Sequence, residues 1–241
     1  MRWLLLALAA CGGSDQPAPA IDGPVPDGAA DSTPDTASGF GTLSGMCGVL
    51  IESDLTSASP KLVHDTFTFE RAYVDPADRP LLTEGGQVIA ATPNAGGSSG
   101  LSEVFAFEQL ARCEGASLLK TETEIVYDTQ GKITDILVEI AGHKIGVSVT
   151  RAVAFPFGTP YSLDDANDLM MKKLTDIQAS TMNVSAADRW DKQVLAVMAY
   201  DAQHAEVVEQ SIEAMSPSIT SDTIVIVTAT DGEDAFIYTN N

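Results

Sequence analysis

Charged residues gather around one predicted hairpin, residues 132–152, which read KITDILVEIAGHKIGVSVTRA. Asp135 lies in the first run of strand-forming residues, and Glu139 and Lys144 flank the AGHK turn. A further acid, Glu103, opens a predicted helix earlier in the chain. Carboxylates are hard oxygen ligands of the kind Mg²⁺ prefers, and a lysine can steady an attacking water or a transition-state charge. These residue types would suit metal-dependent hydrolysis.

The elements that must position these residues follow from hydrophobic periodicity. Helical spacing predicts helices, and alternating or continuous apolar runs predict strands. The predicted elements are a helix at 102–113, strands at 118–128, 133–142 and 144–155, a helix at 162–181, a strand at 192–201, a helix at 202–215 and a strand at 222–231. The order is α-β-β-β-α-β-α-β. Because the last two helices connect strands as crossovers, we expect an α/β fold with a mixed central sheet flanked by helices.

This order over residues 98–230 resembles the core of the restriction-endonuclease-like superfamily, the PD-(D/E)xK nucleases. In that family an acid on the first helix, an Asp on the second strand and an acid-x-Lys pair on the third strand bind a divalent metal ion and activate water. The resemblance places the helix acid at Glu103 and the metal-binding Asp at Asp135. It places the acid-x-Lys pair at Ser148 and Thr150, so both family residues are replaced by hydroxyls.

Two functions follow from this departure. The first is a non-catalytic binding or envelope role without a cofactor, with an unspecified protein partner. The alternative is a divergent Mg²⁺- or Mn²⁺-dependent nuclease or phosphodiester hydrolase that uses Glu103 and Asp135, with Glu139 and Lys144 as a migrated part of the site. Glu122 and Glu124 on the preceding predicted strand are further acids that could face it.

The charge of the chain disfavours nucleic acid as a partner. Lys and Arg total 13 against 34 Asp and Glu, which gives a formal net charge of −21. Proteins bind nucleic acid by neutralising phosphates with Lys and Arg, so this field has the wrong sign.

The first residues read MRWLLLALAACGGSD. Arg2 precedes a short apolar run, and small residues precede Cys11. This pattern resembles the lipobox of bacterial lipoprotein signal peptides, which implies cleavage after residue 10 and acylation of Cys11 as an anchor in a lipid bilayer. An ordinary secretory signal with a chance cysteine is the alternative. Gly12 in place of Asp favours the outer membrane by resemblance to enteric sorting rules.

The remaining chain divides by composition. Residues 11–40 are rich in Gly, Pro, Ala, Ser and Asp, which predicts a disordered tether that cannot bury a core. Residues 41–97 read as a loop-rich N-terminal extension with one or two short elements, and residues 98–241 as the α/β nuclease-like domain. Cys47 and Cys113 are expected to form a disulfide in an oxidising compartment, with two free thiols as the alternative.

The sequence around His204 allows an interpretation as a metal site. His204 and Glu206 form an H-x-E pattern like that of zinc deaminases, but no P-C-x-x-C follows. We therefore expect His204 to lie on the surface of its helix.

Overall fold

The computed structural model describes residues 39–93 and 100–239, which build one seven-stranded sheet flanked by helices. The strands are β1 (Thr42–Gly45), β2 (Lys61–Phe69), β3 (Ser117–Thr121), β4 (Ile136–Ile140), β5 (His143–Ala152), β6 (Lys192–Ala199) and β7 (Ile224–Gly232). The helices are α1 (Glu52–Thr56), α2 (Glu84–Ala91), α3 (Gly100–Glu114), α4 (Leu163–Asn183), α5 (Ala202–Ala214), α6 (Pro217–Thr220) and α7 (Ala235–Tyr238).

The strand order across the sheet is β1-β2-β7-β6-β5-β4-β3. Strands β3, β4 and β5 form an antiparallel meander. The pairs β5–β6, β6–β7 and β7–β2 are parallel, and β1 is antiparallel to β2. The parallel pairs β5–β6 and β6–β7 arise because α4 and α5 return the chain as crossovers. The predicted order α-β-β-β-α-β-α-β and the mixed sheet flanked by helices are confirmed.

The segment before this core contributes more to the sheet than the predicted loop-rich extension implies. β2 pairs with β7 along its whole length, from Lys61 opposite Ile224 to Phe69 opposite Gly232. Its sequence KLVHDTFTF has a period of two, with every second side chain buried. That alternation is typical of a strand, and it makes residues 61–69 an integral part of the sheet.

Phe40, the last residue of the predicted tether at 11–40, belongs to the folded part. Phe40, which the composition assigned to the tether, is 5% exposed and packs in the aromatic core. Arg112 on α3 donates hydrogen bonds to the carbonyls of Phe40 and Gly41, at 3.1 and 2.9 Å. The folded part therefore begins no later than Gly39.

Two hydrophobic cores lie on opposite faces of the sheet. On one face α3 packs through Phe105 and Phe107 against β2 and the strands of the meander. On the other face α4 and α5 pack against β6 and β7, through residues such as Met170 and Val208. All eight residues of β6 are buried, because helices cover both faces of the parallel strands.

The first strand of the meander is shorter than predicted. β3 ends at Thr121, and a 3-10 turn follows at Glu122–Glu124. The carboxylate of Glu124 accepts hydrogen bonds from the Thr121 backbone N–H and hydroxyl, both at 2.9 Å. This local bond competes with strand pairing and stops the strand. Within the described ranges, no helix is long and apolar enough to cross a membrane.

Candidate functional site

The hairpin of β4 and β5 separates the four predicted catalytic residues into two groups. Asp135 lies just before β4, and its backbone N–H donates to the Val147 carbonyl at 3.1 Å. Glu139 lies opposite Lys144 at the turn end of the same hairpin. Glu139 lies four positions after Asp135, which is about 13 Å along an extended chain.

Asp135 is held by β5, the strand that carries Ser148 and Thr150. One carboxylate oxygen, Oδ2, accepts the backbone N–H of Val149 at 2.6 Å and the hydroxyl of Ser148 at 3.1 Å. Burial raises the pKa of Asp135 above its ordinary value, and these two hydrogen bonds oppose the rise. Ser148 therefore acts as a donor to Asp135, where the family resemblance would put a second carboxylate.

Asp135 shares a small cavity with two other acids. Glu103 reaches it from the first turn of α3, and Glu122 reaches it from the 3-10 turn after β3. The structure thus brings together Glu103 and Asp135, the two residues predicted to bind metal. The cavity measures only about 20 Å³, and a single water needs roughly 10–15 Å³ on the same measure.

Glu139 and Lys144 do not join this group. The ammonium of Lys144 donates to the Ala187 carbonyl at 3.0 Å, on the loop before β6. The side chain of Glu139 is exposed. The idea of a migrated site that combines these two residues with Asp135 is therefore wrong, because the length of the strand keeps them apart.

The acids of the cavity do not fit a divalent metal ion as they stand. Mg²⁺ demands about six oxygen ligands at close distances and usually keeps several waters. In the parts of the chain that the structure describes, no three His, Cys, Asp or Glu side chains are grouped so that they could hold a metal ion. As bounded by the described residues, the cavity is also small for an ion together with its waters.

The structure joins Cys47 and Cys113 in a disulfide, with their Cα atoms 4.6 Å apart, which is the pairing expected from the sequence. The neighbouring Glu114 strengthens the same connection, because its carboxylate accepts the backbone N–H groups of Gly48 and Leu50, each at 3.0 Å. The segment before α1 is thereby fastened to the end of α3. Cys11 and the predicted signal peptide lie outside the described residues.

The prediction that His204 lies on the surface of its helix is wrong. It is 1% exposed, and its Nδ1 lies 2.7 Å from the carboxylate of Asp201, which also caps α5. Its ring stacks on Tyr161 at 5.0 Å between centroids. The loop before α4 covers this end of α5, which periodicity within α5 does not reveal.

Sequence reasoning also missed a group of buried polar residues between β2 and α3. Asp65 accepts a hydrogen bond from Gln109 at 2.6 Å, and Glu108 accepts two from Thr83. The inward phase of the alternating β2 pattern could have marked Asp65 as buried. On α3 the local sequence gives no comparable signal for Glu108, which faces α2 beside the apolar Phe107.

Comparisons with known proteins identify few relatives. No protein-family model matches the chain. The "AAC-rich mRNA clone AAC4 protein" of Dictyostelium discoideum is 41% identical over 175 residues, which are 70% of this chain and 25% of that protein. The chain thus spans about a quarter of that relative's length. Among solved structures, "The structure of Pyrococcus Furiosus SfsA in complex with Ca2+" matches 54% of this chain and 55% of its own at 13% identity and a TM-score of 0.27.

Proposed function

We propose that the protein is an exported bacterial lipoprotein of the outer membrane, whose α/β domain binds a partner without catalysing a reaction. The observation that carries the non-catalytic part is the hydrogen bond from Ser148 to Asp135. Through this bond β5 holds Asp135, the hairpin acid at the position where the resembled nucleases have their metal-binding Asp.

The anchoring part is supported by the N-terminal sequence. Residues 3–10, WLLLALAA, are too few to span a bilayer as a helix, which needs about 20 apolar residues. Cys11 follows small residues at the end of this run. Several acyl chains on one cysteine would give a stable anchor where a single chain is marginal.

Fractionation of bacterial cells that express the full chain tests the anchor. We expect the wild-type protein in the membrane fraction, with an intact mass that shows an acylated Cys11 as the first residue. Cys11→Ala should move the protein to the soluble fraction or leave it unprocessed, and Ser14→Ala is the matched control that should change neither. Wild-type protein found soluble with a free Cys11 would refute the anchor.

The alternative, a divergent metal-dependent nuclease, is favoured by one observation, the convergence of Glu103, Glu122 and Asp135 on one cavity. A cleavage assay separates the two functions. The full chain in detergent is incubated with DNA or RNA and Mg²⁺ or Mn²⁺. We expect no cleavage above that of Asp135→Asn. Cleavage that Asp135→Asn and Glu103→Gln abolish would replace the non-catalytic proposal with the nuclease.

A further inference from the structure

A groove of about 580 Å³ runs between helix α2 and strand β3. Gly85 makes it possible for α2 to lie close to both neighbours, because a Cβ at this position would lie 2.4 Å from Phe107 and 2.9 Å from Leu118. Phe107 and Ala111 of α3 also line the groove. Its volume is in the range of specific ligand sites, which is roughly 300–1,000 Å³.

One wall of the groove is a strand with an open edge. β3 is the last strand on its side of the sheet within the described residues, so its outward N–H and C=O groups have no strand to pair with. The register shifts between Leu118 and Lys120, which makes Leu119 an extra residue. Glu124 already accepts the N–H of Thr121. The open edge is therefore Ser117–Lys120, long enough for a short extended segment.

The apolar and charged groups of the groove define what that segment should carry. Val88 on α2 and Leu119 on β3 line the groove and are 45% and 40% exposed, which is unusual for large apolar side chains that share one groove. The charged residues among those that line it are Glu84 and Glu124, both acidic. Hydrogen bonds from Thr121 lower the pKa of Glu124, so it keeps its negative charge at neutral pH.

We propose that this groove binds an extended polypeptide segment in which basic side chains alternate with aliphatic ones. The segment pairs its backbone with the edge of β3, in the manner of strand addition to an exposed sheet edge. Its aliphatic side chains contact Val88 and Leu119, and its basic side chains lie near Glu84 and Glu124. This site is separate from the cavity at Asp135 and does not depend on lipidation of Cys11.

A synthetic peptide of about eight residues with alternating lysine and valine, labelled with fluorescein, is a suitable probe. Its fluorescence anisotropy is measured against the full chain in detergent micelles, with empty micelles as the baseline. A peptide with glutamate in place of each lysine is the control. We expect saturable binding of the lysine peptide and binding at least about ten-fold weaker for the glutamate peptide. No saturable binding at millimolar protein, or equal binding of both peptides, would overturn the proposal.

Matched variants distinguish the groove from general attraction to an acidic protein. Val88→Ser and Leu119→Ser should each weaken binding by about five-fold, because they remove part of an aliphatic contact without a change in charge. Met182→Ser on α4, where the side chain is 78% exposed, should leave binding unchanged.

A pair of charge variants completes the test. Glu84→Gln should weaken binding of the lysine peptide more than Glu206→Gln on α5, although both remove one exposed negative charge. Once far-ultraviolet circular dichroism shows that the variants are folded, two results would mean that the groove is not the site. One is equal effects of Glu84→Gln and Glu206→Gln, and the other is an effect of Met182→Ser as large as those of Val88→Ser and Leu119→Ser.

Discussion

Asp65 is an ionisable group held almost without solvent contact between β2 and α3. Its Oδ2 accepts one hydrogen bond from Gln109, at 2.6 Å. Its Oδ1 and the Oε1 of Gln109 are buried and have no hydrogen-bond partner among the described residues. Burial, helped by the nearby charge of Glu114, raises the pKa of Asp65 to about 6 from its usual value of 3.8. Compared with the unfolded chain, the folded protein therefore favours the neutral form of the Asp65 carboxyl group.

The sign of the effect on stability follows from this direction. Because the pKa is higher in the folded than in the unfolded chain, the folded state binds the proton more tightly. The cost of the ionised carboxylate is absent below about pH 4, grows as the pH rises, and is complete above about pH 6. The rise in the pKa of Asp65 from 3.8 to about 6 corresponds to a loss of about 3 kcal/mol in the free energy of unfolding at high pH, because a tenfold change in an equilibrium constant is worth about 1.4 kcal/mol.

Asp65→Asn removes the ionisation but keeps an acceptor for Gln109 and adds a donor where two acceptors lack partners. We expect the variant to raise the free energy of unfolding by up to about 3 kcal/mol near pH 8 and to leave it almost unchanged near pH 4. Urea unfolding of the full chain, followed by tryptophan fluorescence at both pH values, measures this difference. Asp128→Asn, at an exposed position, is the control and should give no gain at either pH. An equal gain at both pH values, or a loss near pH 8, would refute the reasoning.

Three further predictions concern the framework. Replacing both Cys47 and Cys113 by serine should lower the free energy of unfolding by about 4 kcal/mol, because the disulfide spans 66 residues. Urea unfolding measures this loss, and an unchanged free energy of unfolding would mean that the disulfide does not form. Gly146→Ala should cost at least about 1 kcal/mol and alter the near-ultraviolet circular dichroism, because its Cβ would lie 2.5 Å from the Trp190 ring. Phe105→Ala should cost about 3–5 kcal/mol in the same urea assay, since Phe105 is fully buried in the aromatic core, and a loss below about 1 kcal/mol would contradict the packing described.

The fold from α3 onward was predictable because its elements carry strong local patterns. β6 and β7 are continuous apolar runs, and α5 carries an apolar stripe through Val208 and Ile212. The position of β2 was harder, since its partner β7 lies more than 150 residues later in the chain. Alternation within β2 predicts a strand, but no local pattern says which strand it pairs with.

The site was predictable only in part. The order of the helix and the hairpin fixes where Glu103 and Asp135 lie, so the sequence could indicate that both residues line one cavity. The sequence could not show the small volume of the cavity between them, about 20 Å³, since packing sets that volume. Glu139 and Lys144 lie at the turn end of the hairpin, away from Asp135, because the strand between Asp135 and Glu139 is extended.

The central proposal is that Asp135 belongs to the framework of the hairpin and that it does not bind a metal ion. Thermal melting of the full chain with and without MnCl₂, for the wild type and for Asp135→Asn, tests it most directly. A metal ion that binds the folded state would raise the melting temperature with its concentration. We predict the same response to Mn²⁺ for the two proteins, with no rise in the wild type beyond that of the variant. A Mn²⁺-dependent rise in the wild type that Asp135→Asn removes would contradict the claim.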